Sequence, residues 1–346
     1  MQGLIIKKIK FSILNNFGTI FRVNIFGESH GPSVGVVIDG CPAGISLTAD
    51  DFFTDIERRK GGVQKGTTPR KEDDLPIFLS GVFNDKTTGA PLTIIFENKN
   101  TRSSDYEKLR SFPRPGHADF VASQKFGGYE DYRGGGHFSG RLTVCMVAAG
   151  VVAKKILVLA NESITCDAAI TEIGGETDAE KGLQKAIDAK DSVGGIVECI
   201  VKNLPLGLGE PFFNSAESLI SHAVFAIPAI KGIEFGAGFR AAKMFGSDHN
   251  DSLENKEGKT TTNFAGGILG GITNGNDLVF RVAVKPTSST PKEQQTLNVE
   301  TNTVESFSVK GRHDLCIALR VPVVLEAVTA FVLADLLLLE QKVARV

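Results

Sequence analysis

A chain of 346 residues, 42% hydrophobic and 23% charged, can bury a sizeable core as one large domain or two ordinary ones. Its formal net charge of −2 excludes a global electrostatic attraction to nucleic acid or membrane, so any anion site must be local. Five scattered cysteines with no C-x-x-C spacing argue against a disulfide framework or a structural zinc, and fit a reducing cytoplasm.

Residues 1–16 are mildly basic, and the apolar run Leu4-Ile5-Ile6 is too short for a signal-peptide core. They read as a poorly ordered extension ahead of a single domain, 17–346. Along that domain, Val/Ile-rich runs bounded by Gly, Pro or Asn predict strands at 34–38, 77–83 and 92–96. A helix is expected over 141–159, a strand over 194–201, a helix over 216–226, a strand over 278–284 and a last helix over 323–343. The helices are apolar on most faces, which places them between sheets rather than on an outer surface. Pro322, Glu326 and Asp335 interrupt the apolar stretch 321–339, leaving no run near the roughly 20 residues of a membrane span. A buried helix is expected there instead. Strands and helices do not alternate, and no G-x-G-x-x-G follows a strand to open a helix, so the fold class is α+β rather than dinucleotide-binding.

The loops carry the chemistry. Glycines cluster with histidine, arginine and serine at Gly27-Glu28-Ser29-His30-Gly31, Arg133-Gly134-Gly135-Gly136-His137, Gly266-Gly267-Ile268-Leu269-Gly270-Gly271 and Lys310-Gly311-Arg312-His313-Asp314. Glycine lets backbone approach a ligand closely, and imidazole exchanges a proton near neutral pH. Any one loop histidine is ordinarily solvated or structural; the repetition points to one site built from several loops. A cationic group (Arg58, Arg59, Lys60, Lys65, Arg70, Lys71) and a second (Arg102, Arg110, Arg114) read either as solvated loops or as forks for phosphate and carboxylate. Lys285-Pro286-Thr287-Ser288-Ser289 directly follows a predicted strand and offers a cation, hydroxyls and backbone donors, although such turns are common. No Walker loop is present, and the pairs Asp248-His249 and His313-Asp314 lack metal-ligand spacing, so no metal is expected.

Several strings resemble a known family. Phe17-Gly18 through Phe21-Arg22 and Phe26-Gly27-Glu28-Ser29-His30-Gly31 are similar to the opening signature of chorismate synthases. Asp55-Ile56-Glu57-Arg58-Arg59, Arg114-Pro115-Gly116-His117-Ala118-Asp119, Asp131-Tyr132-Arg133-Gly134-Gly135-Gly136, 265–271, 285–289 and Gly311-Arg312-His313-Asp314 follow in the family's order. The resemblance implies a sandwich of two antiparallel sheets around a helical core, a cytoplasmic homotetramer, and no nucleic-acid or membrane partner. The activity it implies is trans-1,4-elimination of phosphate from 5-enolpyruvylshikimate 3-phosphate to give chorismate. That reaction belongs to a carbon–oxygen lyase of aromatic amino-acid biosynthesis that needs reduced FMN (FMNH2) without net redox change.

Residue by residue, the resemblance makes His30 the group that protonates or stabilises the leaving phosphate. It places His117 beside the flavin, Asp314 as a tuner of the flavin proton, and Ser29 and Ser139 in a proton relay. FMN contacts fall on His137, Phe138, Ser139, Gly270, Lys285, Pro286, Thr287, Ser288, Ser289 and Arg312. Arg59 and Lys65 match positions tied to NADPH or to the substrate phosphate, with Arg58 and Arg141 as further substrate-anion candidates. Two departures stand out: His137-Phe138 replaces a frequent Arg-Ser, and Lys65 replaces a frequent arginine, which keeps the charge but loses the bidentate fork. The competing readings are a flavoprotein performing net redox on a phosphorylated metabolite and an RNA-binding protein using the cationic loops.

Overall fold

The computed structural model describes residues 15–62, 65–68, 72–100, 109–309 and 313–342. A first antiparallel sheet contains β1 (Asn16–Phe17), β2 (Arg22–Gly27), β3 (Ser33–Asp39), β4 (Ile77–Ser80) and β5 (Leu92–Glu97), in the order β1-β2-β3-β5-β4. A second contains β6 (Thr165–Ile173), β7 (Gly195–Lys202), β8 (Ile230–Phe235) and β9 (Leu278–Val284), in the order β8-β9-β7-β6. The main helices are α1 (Phe53–Arg59), α2 (Asp119–Phe126), α3 (Thr143–Ala160), α4 (Ala179–Ala189), α5 (Ala216–Val224) and α6 (Val321–Lys342).

Period-two alternation decides which way each sheet faces. Val34, Val36 and Ile38 of β3 pair with Phe96, Ile94 and Leu92 of β5, and all six side chains are fully buried. Leu278, Phe280, Val282 and Val284 give β9 the same buried face. Between the sheets lie α3 and α6, the first against β3 and β5 and the second against β6 and β7, packed along each other. Both stretches have the length and composition of a membrane span, yet they are the buried core of the sandwich.

The charges that interrupt α6 are held by partners from outside it. Glu326 receives the Arg58 guanidinium in two bonds of 2.8 and 2.6 Å, Lys154 at 3.0 Å and the Ala168 amide at 3.0 Å. Asp335 accepts the backbone N–H groups of Thr19, Ile20 and Phe21 at 2.8, 2.7 and 2.9 Å, tying the turn between β1 and β2 to the helix. Pro322 stands in the first turn, where a helix needs no N–H from it.

Close approach of α3 to α6 depends on Gly150, because a Cβ there would overlap Ala327 of α6. Gly150→Val is therefore expected to cost about 1–3 kcal/mol by overpacking, read as a lowered urea midpoint. An unchanged midpoint would show that the two helices separate without penalty.

The predicted strand at 278–284 matches β9 to the residue, and those at 34–38, 92–96 and 194–201 match within about a residue. The run 77–83 is broken instead: Gly81 at φ +86° ends β4, and Val82–Phe83 pair with Lys86–Thr87. All three predicted helices are present. Of the extension 1–16, residues 1–14 lie outside the described residues. Asn15 and Asn16, at the end of that stretch, both pair with β2.

Candidate active site

A cavity of about 740 Å³ opens where loops from both sheets meet the N-terminal ends of α3 and α6. Its wall collects Arg59, His117, His137, Phe138, Ser139, Arg141, Asp314 and the whole turn Lys285–Ser289. These residues are scattered over more than 250 positions of sequence, and the fold brings them to one surface.

The glycine triplet explains how two histidines share a small space. Gly134, Gly135 and Gly136 all have positive φ, at +60°, +80° and +53°, a run that residues with a Cβ rarely adopt. A Cβ on Gly134 would overlap the His30 ring and lie 2.9 Å from Ser29 Oγ, while one on Gly135 would come within 3.2 Å of His117 Cε1. The triplet is thus packed between His30 and His117. His137 continues the loop, its Nδ1 bonded to the Gly27 carbonyl oxygen at 2.8 Å, which fixes its ring against β2.

His117 belongs to a tight ionic group. Its Nδ1 is 2.6 Å from Asp119 Oδ1, and Arg114 grips the same carboxylate through Nε and Nη2 at 2.7 and 2.8 Å. Burial alone would raise the Asp119 pKa, but hydrogen bonds from Arg114 and His117 outweigh it and hold the group well below the usual carboxylate range. A carboxylate only accepts, so the His117 Nδ1 carries the shared proton, and Nε2, 3.2 Å from Arg114 Nη2, is its other exchangeable position. Arg114 Nη1 also donates to Ser289 Oγ at 3.1 Å, and Ser288 Oγ donates to the Gly116 carbonyl at 2.7 Å. Lys285 Nζ bonds that same carbonyl at 3.1 Å and Ser288 Oγ at 2.8 Å, so the two loops form one wall.

A second cluster is built on Asp74, whose carboxylate is fully buried. It accepts Arg59 Nη2 at 2.8 Å and forms a short ion pair with Arg141 Nη1. Burial would raise the Asp74 pKa, yet the two guanidinium charges hold it below its ordinary value. Ser139 caps the turn that starts α3 by accepting the Arg141 amide at 3.3 Å, and Arg141 Nε reaches Asn98 Oδ1 at 2.9 Å. Asp314 accepts the Thr68 amide at 2.8 Å through Oδ1 and pairs with Arg320 Nη1 at 3.1 Å through Oδ2.

Several expected residues are placed elsewhere. Arg58 faces α6, where both its Nη atoms bind Glu326, because the helical turn of α1 sends adjacent side chains in different directions. Lys65 is exposed and donates to Gln184 Oε1 at 3.3 Å on α4, away from the cavity wall. Gly270 turns a hairpin between Ile268–Leu269 and Ile272–Thr273 and does not line the cavity. Ser29 and His30 stand one layer back, behind Gly134, which does line it. Arg312, with Arg70, Lys71 and Arg102 of the cationic loops, lies outside the described residues.

Asp74, Asp119 and Arg320 join the site without having been expected there. Asp119 was within reach as the end of the Arg114-to-Asp119 string. Asp74 and Arg320 carry no motif signal, and each has a partner far off in sequence, Arg141 at 67 positions from Asp74 and Arg59 at 261 from Arg320.

Residues 21–338 match the family model described as chorismate synthase. A chorismate synthase of Chitinophaga pinensis is 72% identical over 333 residues, covering 96% of this chain and 99% of that protein. One from Dehalococcoides mccartyi is 46% identical over 353 residues, covering 94% and 96%. A crystal structure titled as that of chorismate synthase superposes with a TM-score of 0.70 at 26% identity, covering 94% of this chain and 93% of the other. With the sandwich, the cavity and its residues in place, the chain belongs to the chorismate synthase family.

Proposed function

We propose that the cavity catalyses trans-1,4-elimination of phosphate from 5-enolpyruvylshikimate 3-phosphate to give chorismate, with reduced FMN as cofactor. The observation that carries this reading is the presence in one cavity of a buried guanidinium pair on Asp74 and a histidine held by Asp119. The first suits an oxyanion-rich substrate and the second suits proton exchange.

The residues present fit a flavin. A cavity of about 740 Å³ is within the range of cofactor sites. Thr287 Oγ1 and Arg59 Nε are buried in its wall without a hydrogen-bond partner among the described residues, so both are available to a ligand. Lys285 to Ser289, with His137, Phe138, Ser139 and Arg312, are the residues that would hold the cofactor and its phosphate tail. Reduced flavin, when bound, supplies electron density for carbon–oxygen cleavage and undergoes no net oxidation.

The chain's own groups supply the rest. Arg59 and Arg141 bind and orient substrate oxyanions, their forks held in place by Asp74. His117 exchanges a proton at Nε2 while Asp119 fixes its Nδ1. His30, against the opposite side of the glycine triplet, is the second proton donor, with Ser29 beside it. Asp314 presents a carboxylate acceptor at the cavity wall, placed to relay a proton, and Ser139 joins the relay through its hydroxyl. Apolar residues such as Phe17, Ile25, Val324 and Phe331 exclude water from the same space.

Arg59 supports a site for NADPH as reductant; Lys65, on its separate contact, does not. A cytoplasmic homotetramer is supported by five unpaired cysteines and by Phe212, Phe213, Phe239 and Phe245, each at least 80% exposed in the single chain. Sedimentation at micromolar concentration tests the tetramer.

The deciding experiment is anaerobic release of phosphate and chorismate from the substrate with dithionite-reduced FMN against oxidised FMN. Turnover with reduced flavin alone is expected. NADPH consumed in step with product would mark a net-redox enzyme instead, and no turnover from folded, FMN-binding protein would overturn the reading.

A further inference from the structure

Three guanidinium groups and two carboxylates meet at one wall of the cavity: Arg59 and Arg141 share Asp74, and Arg320 pairs with Asp314. The cluster therefore keeps one positive charge in excess. Arg320 closes the short turn Ile317–Arg320 that leads into α6, and its side chain is 19% exposed. Nε donates to the Arg59 carbonyl at 2.8 Å and Nη1 to Asp314 Oδ2 at 3.1 Å. Those two bonds fix the plane of the fork, and Nη2 makes no hydrogen bond among the described residues.

The same wall holds a second unused donor, Arg59 Nε. Burial lowers the Arg59 pKa to about 10, and the nearby charge of Arg320 is the next largest cause. Arg59 and Arg320 are near enough for their charges to repel, and each keeps an N–H without a protein acceptor, so an anion bound between them is favoured. A purely architectural arginine would spend its donors on protein acceptors, as Arg58 does on Glu326.

We propose that Arg320 is a further substrate-binding residue, giving its Nη2 to an oxyanion of the substrate held by Arg59 and Arg141. This rests on the reading of the cavity above. Asp314 then acts twice, facing the cavity and setting the angle at which Arg320 presents its fork.

The proposal is tested by steady-state kinetics of Arg320→Gln and Arg320→Lys with saturating reduced FMN, beside substrate binding by calorimetry. A charge-assisted hydrogen bond contributes about 1.5–3 kcal/mol, so R320Q is expected to raise KM by about 10- to 150-fold with kcat within threefold. R320K, which keeps charge without the fork, falls between the wild type and R320Q. A raised inhibition constant for inorganic phosphate in R320Q places Arg320 at the phosphate; an unchanged one with raised KM places it at a carboxylate. An R320Q protein with wild-type KM and substrate affinity overturns the proposal, as does a loss confined to kcat and folded fraction. If R320Q does not fold, a wild-type KM in R320K overturns it equally. Wild-type protein that binds substrate without turning it over would sink the proposed reaction but leave the calorimetric comparison decisive for Arg320.

Discussion

His117→Ala is expected to lower turnover by about 10²- to 10⁴-fold, the span over which positioned acid–base groups act. The loop bearing His117 does not depend on the imidazole for its shape. Arg114 remains clamped on Asp119 by two bonds and on Ser289 by a third, and the Arg114 amide donates to Asp119 at 3.1 Å. The variant should therefore keep its urea midpoint within about 1 kcal/mol of the parent, as truncations away from the core usually do. What disappears is an imidazole whose Nδ1 is held by a buried, ionised carboxylate. Asp119→Asn is the companion experiment. It removes the charge facing both Arg114 and His117, so it should lower activity and stability together. The measurement is initial phosphate release with reduced FMN across pH 6–9. Near-normal turnover in His117→Ala would remove the histidine from the chemistry and leave it as a packing partner of Gly135.

How much of this is legible in the sequence depends on whether a feature is local. Strand β9 can be read to the residue because LVFRVAV alternates buried and outward positions between turn signals. Strand β6, TCDAAITEI, escapes such a reading because Ile170 is the one large apolar residue among its half-buried positions and every residue but the last keeps some exposure. Helix α4 is legible but absent from the predicted elements: Asp178 caps it by accepting the Glu180 and Lys181 amides, and its face is strongly amphipathic. Among the expected site residues, Arg59, His117, Ser139, Arg141, Asp314 and the Lys285–Ser289 turn line the cavity. Arg58 misleads because it sits beside Arg59 in sequence and points to α6 in space. Glu326 and Asp335 are legible as charges within an apolar run, but their partners, Arg58 with Lys154 and the Thr19–Phe21 amides, come from remote segments that no local pattern encodes.

Asp74→Ala should be the most damaging single change to stability, at about 3–5 kcal/mol, the usual cost of stripping one partner from a buried ion pair. Arg59 is 3% and Arg141 4% exposed, and each would be left facing the other with its charge uncompensated. The pH dependence follows from the direction of the shift. The folded-state pKa of Asp74 lies below its ordinary value, so its contribution is complete above about pH 4 and fades as pH falls through the folded-state value. Asp74→Asn, which keeps the shape and loses the charge, should accordingly show its largest deficit at pH 7 and draw closer to the parent as the pH is lowered to about 3. Urea midpoints at the two pH values check this. A gap that stays constant, or widens in acid, would mean that Asp74 stabilises the fold by hydrogen bonding alone. Activity adds an independent readout: with the bridging charge gone, the two forks repel and no longer converge on a substrate oxyanion. The KM of Asp74→Asn should rise by at least about 10-fold at pH 7 even where the protein is fully folded, since one misplaced charge-assisted bond is worth about that much.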